Sequence, residues 1–323
     1  MTASQQASNL TYFALAATAA HPPRPAAARL NPGELPDILG GRYRIERLLG
    51  VGGMGAVYRA RDLLREQFRD PEPWVALKTL SDDFAEYPDA SALLYSEYAL
   101  TARLNHRHVV RPFSFEVDST CQRAFITLEL LRGPTLDQLL CEHPEGLPWP
   151  QLQEIAIPLL EALAHSHQHG VLHGDLKPGN VILGDHGLRL FDYGLGQPLD
   201  GLLPGLPRLC RSRIAAWTPR YAAPELLEGA PLTAAADIYA LACVLLELAS
   251  GRHPFQRLSA TQAMRMALDK QLQRPPQIPA HTWQALRTAL AFDESQRRIT
   301  CSELLDAFQR RPPSRLRRWL GKA

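Results

Sequence analysis

Long hydrophobic runs, closely spaced cysteine pairs and a strong net charge are all missing from this chain of 323 residues. The most apolar stretch, Ile238–Ala249, is interrupted by Glu247 and is shorter than the ~20 residues that a membrane-spanning helix needs. We therefore expect a buried helix there. A formal net charge of +2 does not by itself indicate a nucleic-acid partner. Hydrophobic residues make up 46% and charged residues 21%, which excludes a chain without a packed core.

The cysteines are odd in number and scattered along the chain, at Cys121, Cys141, Cys210, Cys243 and Cys301. This pattern excludes a disulfide framework and a CxxC zinc site, and it favours a reducing cytoplasm. The segment Leu10–Ala20 is as apolar as a secretory signal, but no Lys or Arg precedes it, so we do not expect secretion.

Composition divides the chain into four parts. Residues 1–41 are rich in Ala, Pro, Ser and Gln and are predicted to be a flexible leader. Residues 42–131 show the alternation typical of strands, with one predicted helix at Asp89–Leu104. Residues 132–311 are dominated by helical patterns, and residues 312–323 form a basic tail.

The expected architecture is α+β, with a small β-rich lobe joined to a larger helical lobe across a cleft that is a natural ligand site. The charged stretch Asp62–Pro73 is predicted to be an exposed loop, and two short strands are expected within 181–191. The helices predicted in the second lobe are Gln151–Gln168, Thr233–Ser250, Ala260–Leu272, His281–Ala291 and Thr300–Arg310.

The first chemical signal is a glycine-rich turn between two predicted strands, with Gly50, Gly52 and Gly55 spaced as GxGxxG. Glycines let a backbone approach phosphate oxygens closely and present its N–H groups to them. The turn does not lead into a helix, which disfavours a dinucleotide-binding fold. Taken alone, the spacing also fits a plain hairpin.

Lys78 follows on a strand between apolar neighbours, so its ammonium group needs an anionic partner. Glu97 on the predicted helix can supply one, and such a pair would direct the lysine toward the phosphates of a nucleotide.

The strongest signal is a polar set within VLHGDLKPGNVILGDHGLRLFDYG. Phosphoryl transfer needs a group that accepts the hydroxyl proton, a cation near the phosphate and oxygen ligands for Mg²⁺. Asp175 and Lys177 suit the first two roles, whereas Asn180 and Asp192 offer the oxygens that Mg²⁺ prefers. Each residue alone could be a turn or cap residue, but the ordered set indicates a catalytic site.

Residues from about 42 to 311 resemble a eukaryotic-type (Hanks-type) serine/threonine protein kinase domain of the bacterial branch. HGDLKPGN stands where that family has HRDLxxxN, and the segments DYG and APE stand for DFG and APE. The resemblance implies a bilobal kinase fold and the use of ATP with Mg²⁺ or Mn²⁺. It also implies an ATP site formed by Gly50, Val51, Gly52, Gly53, Met54, Gly55, Val57, Ala76, Lys78, Glu97, Glu129 and Leu131.

The resemblance implies structural roles as well. Asp237 would hold the backbone of the catalytic loop, and Arg297 would pair with Glu225 of the APE segment. Lys177 lies two residues after the catalytic aspartate, and Thr218 matches a threonine that bonds both groups in serine/threonine kinases. The expected acceptors are therefore serine and threonine hydroxyls, including those of the chain itself.

Three residues depart from the family pattern. Gly174 replaces an arginine that commonly docks a phosphate on the activation loop. Tyr193 replaces the phenylalanine of DFG, and its added hydroxyl needs a hydrogen-bond partner. Gly179 stands where many kinases that prefer arginine have a glutamate, so that preference is not supported.

Two other functions fit part of the pattern. Small-molecule phosphotransferases that modify aminoglycosides or choline share HGD, but they lack the counterparts of Lys177, Gly194 and the APE segment. A pseudokinase scaffold would normally lack one of the catalytic residues, all of which are present here.

The expected partners are protein substrates and a counteracting phosphatase, and no nucleic acid. Residues 310–323 carry six basic residues and no acid. A solvated charge run is the simpler interpretation, and peripheral contact with anionic lipid is the sharper one.

Because Gly174 cannot dock a phosphate, we predict that catalysis does not require phosphorylation of the loop between Leu195 and Tyr221. Ser212 and Thr218 are the candidate phosphosites, with Ser212 closest to the usual position. Ser212→Ala should keep its activity when transfer to a generic protein is assayed, whereas a loss of ~100-fold would contradict the hypothesis. The alternative is that Arg208, Arg211 or Arg213 docks the phosphate instead.

Overall fold

The computed structural model describes residues 35–51, 55–80, 90–199, 203 and 218–310. The predicted leader up to residue 34, the loop residues Gly52, Gly53 and Met54, the candidate phosphosite Ser212 and the basic tail lie outside these ranges.

An antiparallel sheet forms the first lobe, with the strand order β1-β2-β3-β4-β6-β5 among the described residues. Apolar side chains of β4, at the middle of the sheet, are almost all buried, whereas β2 near the edge is largely exposed. The strands are β1 (Ile38–Leu39), β2 (Tyr43–Val51), β3 (Gly55–Asp62), β4 (Trp74–Leu80), β5 (Pro112–Val117) and β6 (Ala124–Glu129).

Two expectations for this lobe need correction. The sheet begins at Ile38, so an ordered strand lies inside the predicted leader 1–41. The stretch Asp62–Pro73 is not only a loop, because it opens with the helix α1 (Leu63–Gln67). The Asp62 carboxylate caps this helix by accepting hydrogen bonds from two backbone N–H groups of its first turn.

One longer helix, α2 (Ala90–Ala102), packs against the sheet and agrees with the predicted helix. Its buried side chains, which include Leu94, join Leu80 and Ile126 of the sheet in a small apolar cluster. This packing fixes the face of α2 that carries Glu97 against β4.

The second lobe is built around two long helices, one of which is buried over almost its entire length. Its helices are α3 (Leu136–Glu142), α4 (Trp149–Gln168), α5 (Pro224–Leu227), α6 (Ala234–Ser250), α7 (Ala260–Arg265), α8 (Ala280–Ala289) and α9 (Cys301–Gln309). Its short strands are β7 (Val171–Leu172), β8 (Val181–Gly184), β9 (Gly187–Leu190) and β10 (Gln197–Pro198).

Helix α6 confirms the buried helix expected from the apolar run. Thr233 caps its start, and Gly251 ends it in the left-handed conformation at φ 70°. The predicted helix Ala260–Leu272 is wrong in its second half. α7 ends at Arg265 because Ala267 adopts φ 51°, and a short 3₁₀ turn follows.

The described residues form three apolar clusters: a large one that fills the second lobe and also includes Leu100 of α2, and two small ones around the sheet. The predicted α+β, two-lobed layout is therefore confirmed. Within the described residues, no helix is both long enough and apolar enough to cross a bilayer. The cysteines in those ranges are free thiols.

A buried ion pair ties α5 to the segment before α9. The guanidinium of Arg297 donates to both carboxylate oxygens of Glu225, at 2.8 and 2.5 Å, and also to the carbonyl of Ala235. The Arg297 side chain is fully buried and that of Glu225 is 13% exposed. This is the pair that the family resemblance implied.

Removing one member of such a pair leaves the other charge buried without a counterion. We predict that Arg297→Met lowers the free energy of unfolding by about 3–5 kcal/mol in denaturant titrations. Arg298→Met is the matched control, since Arg298 is exposed and, among the described residues, its side chain bonds only the carbonyl of Ser295; it should change stability by less than ~0.5 kcal/mol. Equal losses in the two variants would contradict a stabilising role for the pair.

Candidate active site

The cleft between the lobes contains a lysine bonded to two carboxylates from different parts of the chain. Lys78 on β4 donates to both oxygens of Glu97 on α2, each at 2.7 Å. The same ammonium donates to Asp192 Oδ1, also at 2.7 Å. Lys78 and Glu97 are buried, whereas the Asp192 side chain is 35% exposed on the cleft side. The predicted Lys–Glu pair is thus present, with the DYG aspartate as a third member.

The charges of this group support one another. Burial alone would lower the pKa of Lys78, but the carboxylates of Asp192 and Glu97 outweigh burial and raise it. Burial would raise the pKa of Asp192, but Lys78 outweighs that effect and lowers it to about 2. Lys78 is therefore cationic and Asp192 anionic at neutral pH, as the binding of phosphate and of a metal ion would require.

Asp237, in the first turn of α6, fixes the backbone of the loop that precedes Asp175. Its carboxylate accepts the N–H groups of His173 and Gly174, each at 2.8 Å, and lies 3.0 Å from Nε2 of His167. Burial would raise the pKa of Asp237, but the hydrogen bond to His167 helps to lower it, so the buried group remains an anion. The role implied for Asp237 is present geometrically, and His167 is a partner that the sequence did not reveal.

Asp175, Lys177 and Asn180 lie together in the segment between β7 and β8 of the second lobe. Lys177 Nζ is 2.5 Å from Asp175 Oδ2 and 3.2 Å from Thr218 Oγ1. Asn180 Nδ2 donates to the carbonyl oxygen of Asp175 at 2.9 Å. Thr218 was expected to contact both Asp175 and Lys177, and of these two contacts the structure has the one to Lys177.

Asp175 has the electrostatic character of a proton acceptor. Burial raises the pKa of its carboxyl above the ordinary value, and this effect exceeds the opposing influence of Lys177. A carboxylate with a raised pKa binds a proton more readily than an exposed one. His173 beside it has its pKa lowered by burial, so its ring is neutral at pH 7.

Among the described residues, Asn180 and Asp192 each keep a side-chain oxygen that forms no hydrogen bond there and is suited to a divalent cation. Asn180 uses its amide nitrogen for Asp175, which leaves Oδ1 for another contact. Asp192 uses Oδ1 for Lys78, which leaves Oδ2 beside the open cleft. Such hard oxygen donors fit Mg²⁺, which usually takes one or two protein groups and completes its shell with water and phosphate.

The strands above these groups carry the residues expected to line a nucleotide. Val57 of β3 lies opposite Lys78, and Ala76 of β4 lies opposite Leu128 of β6. Val51 is exposed at the end of β2. Glu129 ends β6 and Leu131 follows it in the segment that joins the lobes.

The glycines of the turn are not equivalent. A Cβ atom at Gly55 would lie 2.0 Å from the carbonyl oxygen of Thr79 on the adjacent strand. A side chain there would push β3 and β4 apart. Gly50 has open space at the same position. Gly55 is therefore required by strand packing, in addition to any phosphate contact that the spacing suggested.

Gly174 also has a structural requirement. Its φ of 81° lies in the left-handed region, and a Cβ atom would lie 2.5 Å from the carbonyl oxygen of Leu195. The residue that replaces the expected arginine thus adopts its conformation without strain. Gly179, five residues later, has no positive φ, and its nearest neighbour would be Asp137 Oδ1 at 3.8 Å.

Comparison with known proteins agrees with this geometry. The protein kinase domain family model matches residues 43–308. Serine/threonine-protein kinase PkaA of Streptomyces coelicolor is 32% identical over 270 residues, which cover 80% of this chain and 48% of PkaA. The DNA damage-responsive serine/threonine-protein kinase RqkA of Deinococcus radiodurans is 39% identical over 228 residues, or 70% of this chain and 32% of RqkA. This chain thus spans about half or less of these relatives.

Among solved structures, the kinase domain of Mycobacterium tuberculosis PknI superposes with a TM-score of 0.61 at 27% identity. The match covers 86% of this chain and 98% of that domain. The predicted bilobal kinase fold is therefore confirmed.

Two glycine-to-alanine substitutions in one loop separate the effect of backbone strain from that of simply adding a methyl group. We predict that Gly174→Ala lowers the free energy of unfolding by about 1–3 kcal/mol, because it places an L-residue at positive φ against a carbonyl oxygen. Gly179→Ala should be tolerated to within about 0.5 kcal/mol. Chemical denaturation of both variants checks the difference. A stable Gly174→Ala variant would show that the loop relaxes.

Proposed function

The chain belongs to the protein kinase family, and from that premise we propose that it is an ATP-dependent serine/threonine protein kinase. It would transfer the γ-phosphoryl group of ATP to hydroxyls of protein substrates and of its own chain. The observation that carries the proposal is the joint presence, in one cleft, of the Lys78–Glu97–Asp192 group and the Asp175–Lys177–Asn180 group.

Each group has a distinct task in this mechanism. Lys78, held by two carboxylates, presents its ammonium to the phosphates of ATP. Asp175 accepts the proton of the attacking hydroxyl, for which its raised pKa is suited. Lys177, 2.5 Å from Asp175, places positive charge where the transferred phosphoryl group gains negative charge.

A divalent metal, bound through Asn180 and Asp192, would neutralise charge on the phosphate oxygens. We propose Mg²⁺ as the physiological ion, with Mn²⁺ as a substitute of the same oxygen preference. The Asp192 carboxylate is suited to this role because its lowered pKa keeps it ionised.

The choice of serine and threonine as acceptors is supported by the contact between Lys177 and Thr218. Thr218 precedes α5 in the chain, so this bond holds the backbone that leads into α5 against the catalytic lysine. A peptide bound along it would bring its hydroxyl close to Asp175.

The cellular setting follows from the proposed activity. We propose a cytoplasmic enzyme that acts on protein substrates and is opposed by a phosphatase, with no nucleic-acid partner. Free thiols at the described cysteines are compatible with a reducing compartment. Contact of the basic tail with an anionic membrane would be peripheral.

Asp175→Asn provides the direct test of the mechanism. The amide keeps the size of the side chain but cannot accept the hydroxyl proton, so we expect phosphoryl transfer to fall by about 10²–10⁴-fold. Nucleotide affinity should be retained, because Lys78 and Asp192 are unchanged. Transfer is measured with γ-labelled ATP and a generic protein acceptor, and affinity by calorimetry with ADP and Mg²⁺.

Asp185→Asn is the matched control, since Asp185 is an exposed aspartate in the turn between β8 and β9. It should transfer phosphate at the wild-type rate. An unchanged rate in Asp175→Asn would refute the assigned proton acceptor.

A further inference from the structure

The hydroxyl of Tyr193, in the DYG segment, forms a hydrogen bond inside the second lobe. Its oxygen lies 2.8 Å from Oγ of Ser166 on α4. Tyr193 is 1% exposed and Ser166 is fully buried. Burial raises the pKa of Tyr193, so the hydroxyl keeps its proton at neutral pH. The partner that the sequence required for this hydroxyl is therefore a residue 27 positions earlier in the chain.

The direction of this hydrogen bond follows from the second bond of Ser166. The serine hydroxyl donates its one hydrogen to the carbonyl oxygen of Ala162 at 2.9 Å, within the same helix. Ser166 Oγ can therefore only accept from Tyr193, which acts as the donor. Without Ser166, the tyrosine hydroxyl would be a buried donor with no acceptor, which is costly.

Tyr193 directly follows Asp192, the cleft residue that bonds Lys78. Asp192 precedes it and adopts φ 66°, a left-handed conformation that L-residues populate uncommonly. The centre of the Tyr193 ring lies 4.5 Å from that of the His173 ring. The backbone N–H of Gly196 donates to the carbonyl oxygen of Tyr193 at 2.8 Å. The ring is thus fixed in the second lobe while Asp192 reaches across the cleft to Lys78.

We propose that the Tyr193–Ser166 hydrogen bond is a latch that positions Asp192 for metal binding. Gly174 has no side chain that could hold the activation segment, so other contacts must keep the DYG segment in place. The latch supplies one such contact from α4, and this contact does not involve the activation segment. Tyr193 and Ser166 are positioning residues that act through Asp192. The inference rests on the proposed kinase function, because it assigns Asp192 to a metal.

Three variants and a control test the latch. Ser166→Ala removes the acceptor, Tyr193→Phe removes the donor, and the double variant removes both. Ser96→Ala is the matched control, since Ser96 on α2 is a buried serine whose hydroxyl likewise donates to a carbonyl one turn earlier, that of Ala92. Two readouts are used that do not measure transfer. They are the thermal unfolding midpoint without nucleotide and the Mg²⁺ concentration needed for half-maximal binding of a fluorescent ADP analogue.

We expect Ser166→Ala to show the larger fall in Tm, because it strands the tyrosine hydroxyl, whereas Tyr193→Phe leaves Ser166 bonded to Ala162. The double variant should recover to the level of Tyr193→Phe. The Mg²⁺ requirement should rise about tenfold in Ser166→Ala, in Tyr193→Phe and in the double variant, because all three lack the hydrogen bond that positions Asp192. Ser96→Ala should leave the Mg²⁺ requirement unchanged.

Additive effects of the two single substitutions on Tm would show that the residues are not coupled and would overturn the latch. A coupled change in Tm with an unchanged Mg²⁺ requirement would reduce the bond to a packing contact and would also overturn it. If the wild-type chain transfers no phosphate, the proposed function fails, but both readouts still decide on the latch.

Discussion

The ammonium group of Lys78 connects three separate parts of the chain. It contacts Glu97 on α2 and Asp192 at the base of the cleft, so the sheet, the helix and the second lobe meet at one cation. Burial disfavours the charged form of all three groups, and the opposite charges of the lysine and the carboxylates offset this cost for one another. The orientation of the nucleotide site therefore depends on a charge balance that no member can leave without cost to the others.

On the other side of the cleft, the backbone before Asp175 is held by a buried carboxylate, that of Asp237. Asp237 accepts hydrogen bonds from the backbone at His173 and Gly174, and so presents Asp175 at a fixed place beside Lys177. The helix α2 contributes to the apolar clusters on both sides of the cleft, with Leu94 in the small cluster of the sheet and Leu100 in the large cluster of the second lobe. Gly174 and Tyr193, which depart from the family pattern, both lie in this junction and both have a physical reason for their identity.

Much of this could be predicted because its signals are local. The buried run and cap residues predict α6, and the clustered polar residues from Asp175 to Asp192 indicate phosphoryl transfer before any contact is known. The helix that Asp62 caps is short and charged, so no hydrophobic pattern in the sequence marks it. Contacts between distant positions, such as His167 with Asp237 or Ser166 with Tyr193, leave no pattern in a single sequence. The conformation of Gly174 likewise depends on Leu195, which folding alone brings near.

The central claim is that the cleft is a working serine/threonine kinase site. Its most direct test is phosphoamino-acid analysis of a generic protein incubated with the purified chain, γ-labelled ATP and Mg²⁺. The account predicts labelled phosphoserine and phosphothreonine. Labelled phosphotyrosine, or no label on the acceptor despite Mg²⁺-dependent nucleotide binding, would contradict it.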